Sequence, residues 1–414
     1  MAAHLARGLP NFETKMTQKA AEDPAALVRL IEKEEDYGVL IWAAGALNAC
    51  VLKQAPLASY SEAFDEFRQP EGMKYLPELW LNNDRLYEDP PPDAALVIAT
   101  RIERLHALEG SSFNHNAMEA AAWLLNSLLE LVKTEGRGDN EKIRRMIVMQ
   151  NQVLATEDEF QFNISMKGFR GALIGTMTAK ASDSDDITTN RDVAFIAGTH
   201  LLAHLCEGDQ EVALILQRCR VPELVCERIF HKVSLSPADL YRRKLPLRFE
   251  SFAAASTQFL QVYLEARPAQ IHVHQYRKMI DAMIAVLNKS FYAKKAQGVL
   301  PYNSMTVHLE LDGAFRVLKH IVDSVPAEAY SIVEKNGIFF AVETLKLEAS
   351  HEEVLRLVCA LLEQLLRTSR DPHKEGKKVD LPRVLDRMMQ RYKKYPMAAA
   401  SLNAQANKIR EIIA

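Results

Sequence analysis

Apolar residues recur along most of this chain at intervals of three and four, the period of a helix with one buried face. Asp23-Pro24 places a cap and a proline at a first helical position, and "AALVRLIEKEE" follows. "VLIWAAGALNACVLKQ" (39–54) is almost wholly apolar and predicts a helix buried on most sides. "PPPDAALVIATRIERLHALEG" predicts a proline-led helix ending at Gly110, and "AMEAAAWLLNSLLELVKTEG" a long one ending at Gly136. "RDVAFIAGTHLLAHLCEGD" and "FRVLKHIVDSVP" repeat the type. Strand-like alternation is short, and "QIHVHQY" (270–276) is its best example. The polar breaks at 69–73, 82–92, 135–140, 181–190, 235–238, 297–303 and 370–380 are too short for interdomain linkers. The pattern predicts an all-α protein: a tail over 1–21, one continuous helical array over 22–414, and a terminal helix at 397–414 that caps it.

Four of these helices share a local pattern: "AAAWLLNSLLELV", "AGTHLLAHLCEGD", "GAFRVLKHIVDSVP" and "VCALLEQLLRTS". Each sets a polar residue inside an otherwise apolar turn. Superposing them aligns Ser127, His204, His320 and Gln364, with gaps of 77, 116 and 44 residues. These approximate two, three and one multiples of a roughly 40-residue unit, the period of helical repeat arrays. One helical turn earlier stand Trp123, His200, Arg316 and Ala360.

The clearest unit is "PAEAYSIVEKNGIFFAVETLKLEASHEEVLRLVCALLEQLLRTS" (326–369), with Asn336-Gly337-Ile338, then "FAVETL", then "SHEEVLRLVCALLEQLL". It resembles an armadillo repeat, with HEAT-like units as the neighbouring possibility elsewhere in the chain. The resemblance implies an armadillo-like right-handed superhelical solenoid whose third helices line a concave groove. It also implies a bend at Gly337, expected at φ > 0. In peptide-binding armadillo proteins the shared position is usually Asn and the preceding one, in import receptors, Trp. Here Trp123 is the one tryptophan retained and the asparagine ladder is absent. The implied partner-binding groove comprises Trp123, Ser127, His200, His204, Arg316, His320 and Gln364.

Composition narrows the chemistry. The 414 residues are 48% hydrophobic and 25% charged, with a net charge of −3, which does not favour nucleic acid. No stretch reaches the length of a membrane span. The N-terminal "MAAHLARGLPNFETKMTQKAA" has no long apolar run, and Glu13 and Glu22 interrupt any transit-peptide pattern. Five scattered cysteines, Cys50, Cys206, Cys219, Cys226 and Cys359, read as free thiols of a reducing, cytoplasmic compartment. The pairs His200/His204 and His272/His274 have metal-like spacing, but "HLLAH" lacks the Glu of a zinc-protease helix and a third ligand, so no metal or cofactor is expected. "SDSDDITTNRD" (182–192) lacks the central Gly and closing Glu of a calcium loop and reads as a solvated loop. "GFRGALIGT" (168–176) follows no strand and ends without Lys-Ser/Thr, so close helix packing explains its glycines better than phosphate binding. Nucleophile motifs are absent, and no enzyme is expected.

Two basic segments remain: 240–250, with Arg242, Arg243, Lys244 and Arg248, and 373–394, where Arg387, Arg391, Lys393 and Lys394, interleaved with Tyr392, form a candidate stripe for an acidic partner, a tubulin tail or RNA. The sequence thus predicts a non-enzymatic scaffold that holds an extended peptide or helix of a protein partner, with a cytoskeletal or ciliary complex as one setting. A transport adaptor or import-type receptor is the alternative.

Overall fold

The structure, a computed structural model, describes residues 24–54, 93–110, 113–133, 139–148, 168–178, 185–234, 246–266, 271–296, 305–347 and 352–414. Among them all regular structure is helical: eighteen α-helices and one 3-10 turn. The expected all-α class therefore holds. The predicted tail lies outside the described residues, as does the basic run Arg242–Lys244. Contacts divide the chain into two units, Met1–Cys219 and Arg220–Ala414.

In the first unit the helices are α1 (Pro24–Lys33), α2 (Tyr37–Gln54), α3 (Ala94–Glu109), α4 (His115–Lys133), α5 (Asp139–Val148), α6 (Gly168–Thr178), α7 (Asp185–Cys206) and α8 (Gln210–Arg218). Helix α4 lies between α2 and α7. That position explains why its buried residues, such as Ala117, Leu124, Leu125, Leu128 and Leu131, surround the helix rather than forming one stripe. Polar contacts fix direction. Tyr37, at the start of α2, donates to Glu109, which also accepts from Asn114 just before α4 (3.3 Å). Further along both helices Ser127 Oγ donates to the Ala44 carbonyl (2.7 Å). At the far end of α4, Val132 and Lys133 lie beside His204, near the end of α7. Helices α2, α4 and α7 therefore run parallel.

The glycines of "GFRGALIGT" belong to α6, which is buried from Phe169 to Met177. A Cβ at Gly175 would lie 2.1 Å from His106 Nε2 of α3, so glycine is what lets α3 and α6 approach. The acidic segment expected as a loop is helical from Asp185 onward. Carboxylates suit a helix N-terminus, where they face unpaired N–H groups, and composition alone did not separate that from a loop.

The second unit holds α9 (Val221–Ser234), α10 (Pro246–Glu265), α11 (Val273–Ala296), α12 (Met305–Ser324), the 3-10 turn Pro326–Glu328, α13 (Ala329–Glu334), α14 (Gly337–Lys346), α15 (Glu352–Thr368), α16 (Pro372–Lys378), α17 (Leu381–Tyr392) and α18 (Pro396–Ile413). Helices α10, α12, α15 and α18 pack in succession, and α9, α11, α14 and α17 form a second succession. "HVHQY" is a helix start: His272 N donates to Gln275 Oε1 (3.1 Å), and α11 begins at Val273. The break expected at 370–380 contains α16, begun by Asp371, which accepts from Lys374 N, and by Pro372.

Most cross-helix bonds of this unit join residues 40 to 54 apart along the chain, with Arg410–Asp386, 24 apart, as an exception. Gln275–Glu223 and Lys278–Glu227 join residues 52 and 51 apart. Arg277–Glu328 and Lys335–Asp281 are 51 and 54 apart. Gln364–Asp323, Arg370–Tyr330 and Arg391–Leu347 are 41, 40 and 44 apart. The paired positions advance together, 223 and 227 with 275 and 278, so α9 and α11 are parallel. Thr257 touches Gly313, and Arg316 feels Glu353 while Asp323 bonds Gln364. On these contacts α12 and α15 run parallel too.

The bend in the clearest repeat differs from expectation at one residue. Asn336, not Gly337, takes the left-handed conformation (φ 66). Asparagine tolerates that region better than most residues. Gly337 begins α14 and is buried, and a Cβ there would lie 2.8 Å from the Ile332 backbone oxygen and 2.3 Å from its Cγ2. Glycine is required by close approach rather than by dihedral angle. Gly337→Ala is expected to lower stability by roughly 1–3 kcal/mol as overpacking, while Asn336→Gly leaves it nearly unchanged. Denaturant melts of both variants check this, and a silent Gly337→Ala would remove the packing explanation.

Helix α18 buries Leu402, Ala406, Ile409 and Ile413 and packs on α15, α16 and α17. Removing residues 396–414 is expected to lower the melting temperature and promote aggregation, because the α15 surface loses its cover. A truncated chain that melts with the parent would show that α15 needs no cap.

Candidate functional site

The residues aligned from the sequence fall into two groups. In the first unit Trp123 and Ser127 stand one turn apart on α4, and His200 and His204 one turn apart on the neighbouring α7. Ser127 is fully buried, and its hydroxyl donates to Ala44 O (2.7 Å) and lies 2.9 Å from Trp123 O. It is therefore not a groove residue. A small hydroxyl satisfied by carbonyls can sit between two stacked helices at little cost, so a polar residue in an apolar helix does not by itself mark a surface. Trp123, His200 and His204 are half-buried.

His204 ties three helix ends together. Its Nε2 is 3.2 Å from Asn140 Nδ2 of α5, and Lys133, Arg144 and Glu207 stand around it. Burial pushes its pKa below the ordinary 6.5, with Glu207 working against the shift and Lys133 and Arg144 adding to it. Burial does the same to His106. Among the described residues no group of three or more His, Cys, Asp or Glu converges as a metal site would require.

In the second unit Arg316 and His320 lie on α12 and Gln364 on the neighbouring α15, with Arg316 near Glu353 and with His320 and Gln364 near Asp323. Arg316 Nε donates to Asp312 Oδ2 (2.8 Å), with Glu353 and Glu265 close by. The Asp312 bond holds the Arg316 guanidinium above its usual pKa despite burial. Gln364 Nε2 donates to Asp323 Oδ1 (2.9 Å), which also accepts from Lys319 Nζ (2.6 Å). Burial would raise the Asp323 pKa, but Gln364, Lys319 and His320 together hold it below its usual value. The result is a half-exposed strip of mixed charge that runs from Glu265 across Asp312, Arg316, Lys319 and Asp323 to Gln364. Its donors and acceptors suit a polar segment of another chain. They form no nucleophile–base pair.

Arg391 belongs to the outward basic stripe expected from the sequence. The structure turns it inward: Nη1 donates to Leu347 O (2.7 Å), and Nη2 bonds Leu345 O, at the C-terminal end of α14. It closes carbonyls that have no intrahelical partner. Arg387, Lys393 and Lys394 do face solvent. Arg383, which is not part of the stripe read from the sequence, is also exposed, one turn before Arg387. Their four-residue spacing was the available signal.

The four described cysteines are unpaired. Burial pushes the Cys206 and Cys359 thiols up to about 12 and raises Cys219 and Cys226 as well, which leaves little thiolate at neutral pH. No described helix is long and apolar enough to cross a membrane. No protein-family profile matches the chain, and no curated protein matches it.

The depressed histidines make a pH prediction with a definite sign. Below the ordinary value of 6.5 the unfolded chain binds protons that folded His204 and His106 resist. Their contribution to stability is present above 6.5 and is lost as pH falls through the folded values. The melting temperature is expected to drop between about pH 7.5 and 5.5, and His204→Gln to flatten that slope. Parallel profiles for parent and variant would exclude His204 as the source.

Proposed function

We propose that this chain is a non-enzymatic scaffold of armadillo or HEAT type, a right-handed solenoid that holds a segment of a protein partner against a row of parallel helices. The observation that carries the reading is the recurrence of cross-helix bonds 40 to 54 residues apart through the second unit. That separation approximates one helical repeat. The α13–α14–α15 succession adds to it: a short helix, a turn at Asn336, a second helix and a long third one, in the order of an armadillo unit. A stack of this kind buries apolar faces between neighbours and leaves an extended polar surface, which is its usual means of binding. Fold alone does not give function, so the proposal rests also on the strip from Glu265 to Gln364. Its mixed charge fits a polar helix or extended peptide. The cations Arg316 and Lys319 suit a basic localisation signal poorly, which places an import-type receptor second.

The test is quantitative affinity purification with the parent chain and with Arg316→Ala plus Gln364→Ala. The expected result is loss of a discrete set of partners by about tenfold or more, near 1.4 kcal/mol, with an unchanged melting temperature. An identical partner profile from a folded double variant would remove this strip from the binding surface.

A further inference from the structure

We propose that the outward face of α17 is a second docking surface, one that takes an acidic polypeptide segment. Residues 373–394 carry eight Lys and Arg against three Asp and Glu, a net of +5 in a chain whose total is −3. The remainder of the chain is therefore at −8, and the positive charge is local.

Packing sorts these charges by side. Leu381, Val384, Leu385 and Met388 of α17 are buried, and Arg391 is drawn to the end of α14. Arg383 and Arg387 are exposed and lie away from that apolar side, with Gln390 in the same line and Lys393 and Lys394 in the turn that follows. The carboxylates within the segment do not cancel this row. Asp386 is held by Arg410 of α18 (2.6 Å). Asp380 stands 3.9 Å from Arg383, with both side chains more than 60% exposed, a weak pair in water. Arg387, Lys393 and Lys394 have no ion-pair partner among the described residues.

The helix dipole accounts for Lys393 and Lys394, which stand where a helix C-terminus favours cations. It does not account for Arg383, in the first turn of α17, or for Arg387, at its middle. Their i, i+4 spacing is about 6 Å along the axis. That interval matches carboxylates at i, i+4 on an acidic helix, or at every second residue of an extended acidic strand.

Other polyanions fit less well. A membrane surface would be met by exposed apolar side chains beside the cations, and the outer face of α17 presents Arg383, Asp386, Arg387 and Gln390. A single-stranded nucleic acid needs a row of exposed aromatic platforms. Here Tyr395 alone is strongly exposed (62%), and its ring lies beside Tyr392 (6.2 Å).

The experiment uses the full chain and three probes of the same charge class: a fluorescent poly-glutamate peptide, an oligo-uridylate, and phosphatidylcholine vesicles containing phosphatidylserine. The poly-glutamate peptide is expected to bind more tightly than either other probe and to weaken as salt rises. Arg383→Glu plus Arg387→Glu should reduce that affinity about tenfold or more, with an unchanged melting temperature. Arg145→Glu, an exposed charge of the first unit (67%), should not reduce it. Preference for the oligonucleotide or the vesicles, affinity no better than for a neutral Gly/Ser peptide, or affinity unmoved by the double reversal would each overturn the proposal. None of these variants touches the strip on α12 and α15, so failure here and failure of the scaffold reading are separable.

Discussion

The structure of each unit depends on apolar contact between like helices that lie side by side and point the same way. Helix α4 has α2 on one side and α7 on the other, and α12 has α10 and α15. None of these helices could hide its apolar residues alone. Leu355, Val358, Cys359, Leu362, Leu365 and Leu366 of α15 are all fully buried because neighbours cover more than one face. Stability is then mostly a property of interfaces between neighbours, and a helix at the end of a row needs a cover of its own.

Polar groups set the register within that apolar stack. A hydrophobic face tolerates sliding, whereas a buried hydroxyl or guanidinium must meet its partner or lose stability. Ser127 on Ala44 locks one helix against the next in this way, whereas Gln364 on Asp323 is an exposed bridge whose loss costs little. Arginines do this at helix ends. Arg144 donates to Leu205 O (3.0 Å) at the end of α7, Arg170 to Ile147 O (3.1 Å) at the end of α5, and Arg391 to Leu347 O at the end of α14. In each case the acceptor is a carbonyl beyond the last intrahelical bond, where positive charge is also favoured by the helix dipole. A cation so engaged is unavailable to a partner. Charge counts along a sequence therefore overstate the surface that binds, and the useful cations are those left over, as Arg383 and Arg387 are.

The proposed surfaces follow from this division. Side chains that neither fill the stack nor close a helix end are free to meet another molecule. On α12 and α15 they are mixed in sign and partly bonded to one another, so a partner there exchanges one set of polar contacts for another. On α17 the cations meet solvent and one weak partner, Asp380 beside Arg383, so association there is driven by charge and weakened by salt.

Amino-acid pattern alone determined the helical class, most helix positions and the close packing of "GFRGALIGT", because apolar period and glycine placement are local properties. It also located the turn before α14, where Asn336-Gly337 stands. Tertiary structure decided what each exceptional residue does. The pattern cannot tell that Asn336 takes the left-handed angle while Gly337 makes room for Ile332, since the second fact belongs to a contact. Nor can it tell that Ser127 is sealed between helices while His204 is half-open, or that Arg391 turns inward and Arg387 outward. Those outcomes depend on which helix lies next door and how far away its carbonyls are. A linear code of spacing carries periodicity along one helix, and it carries no distance to the next.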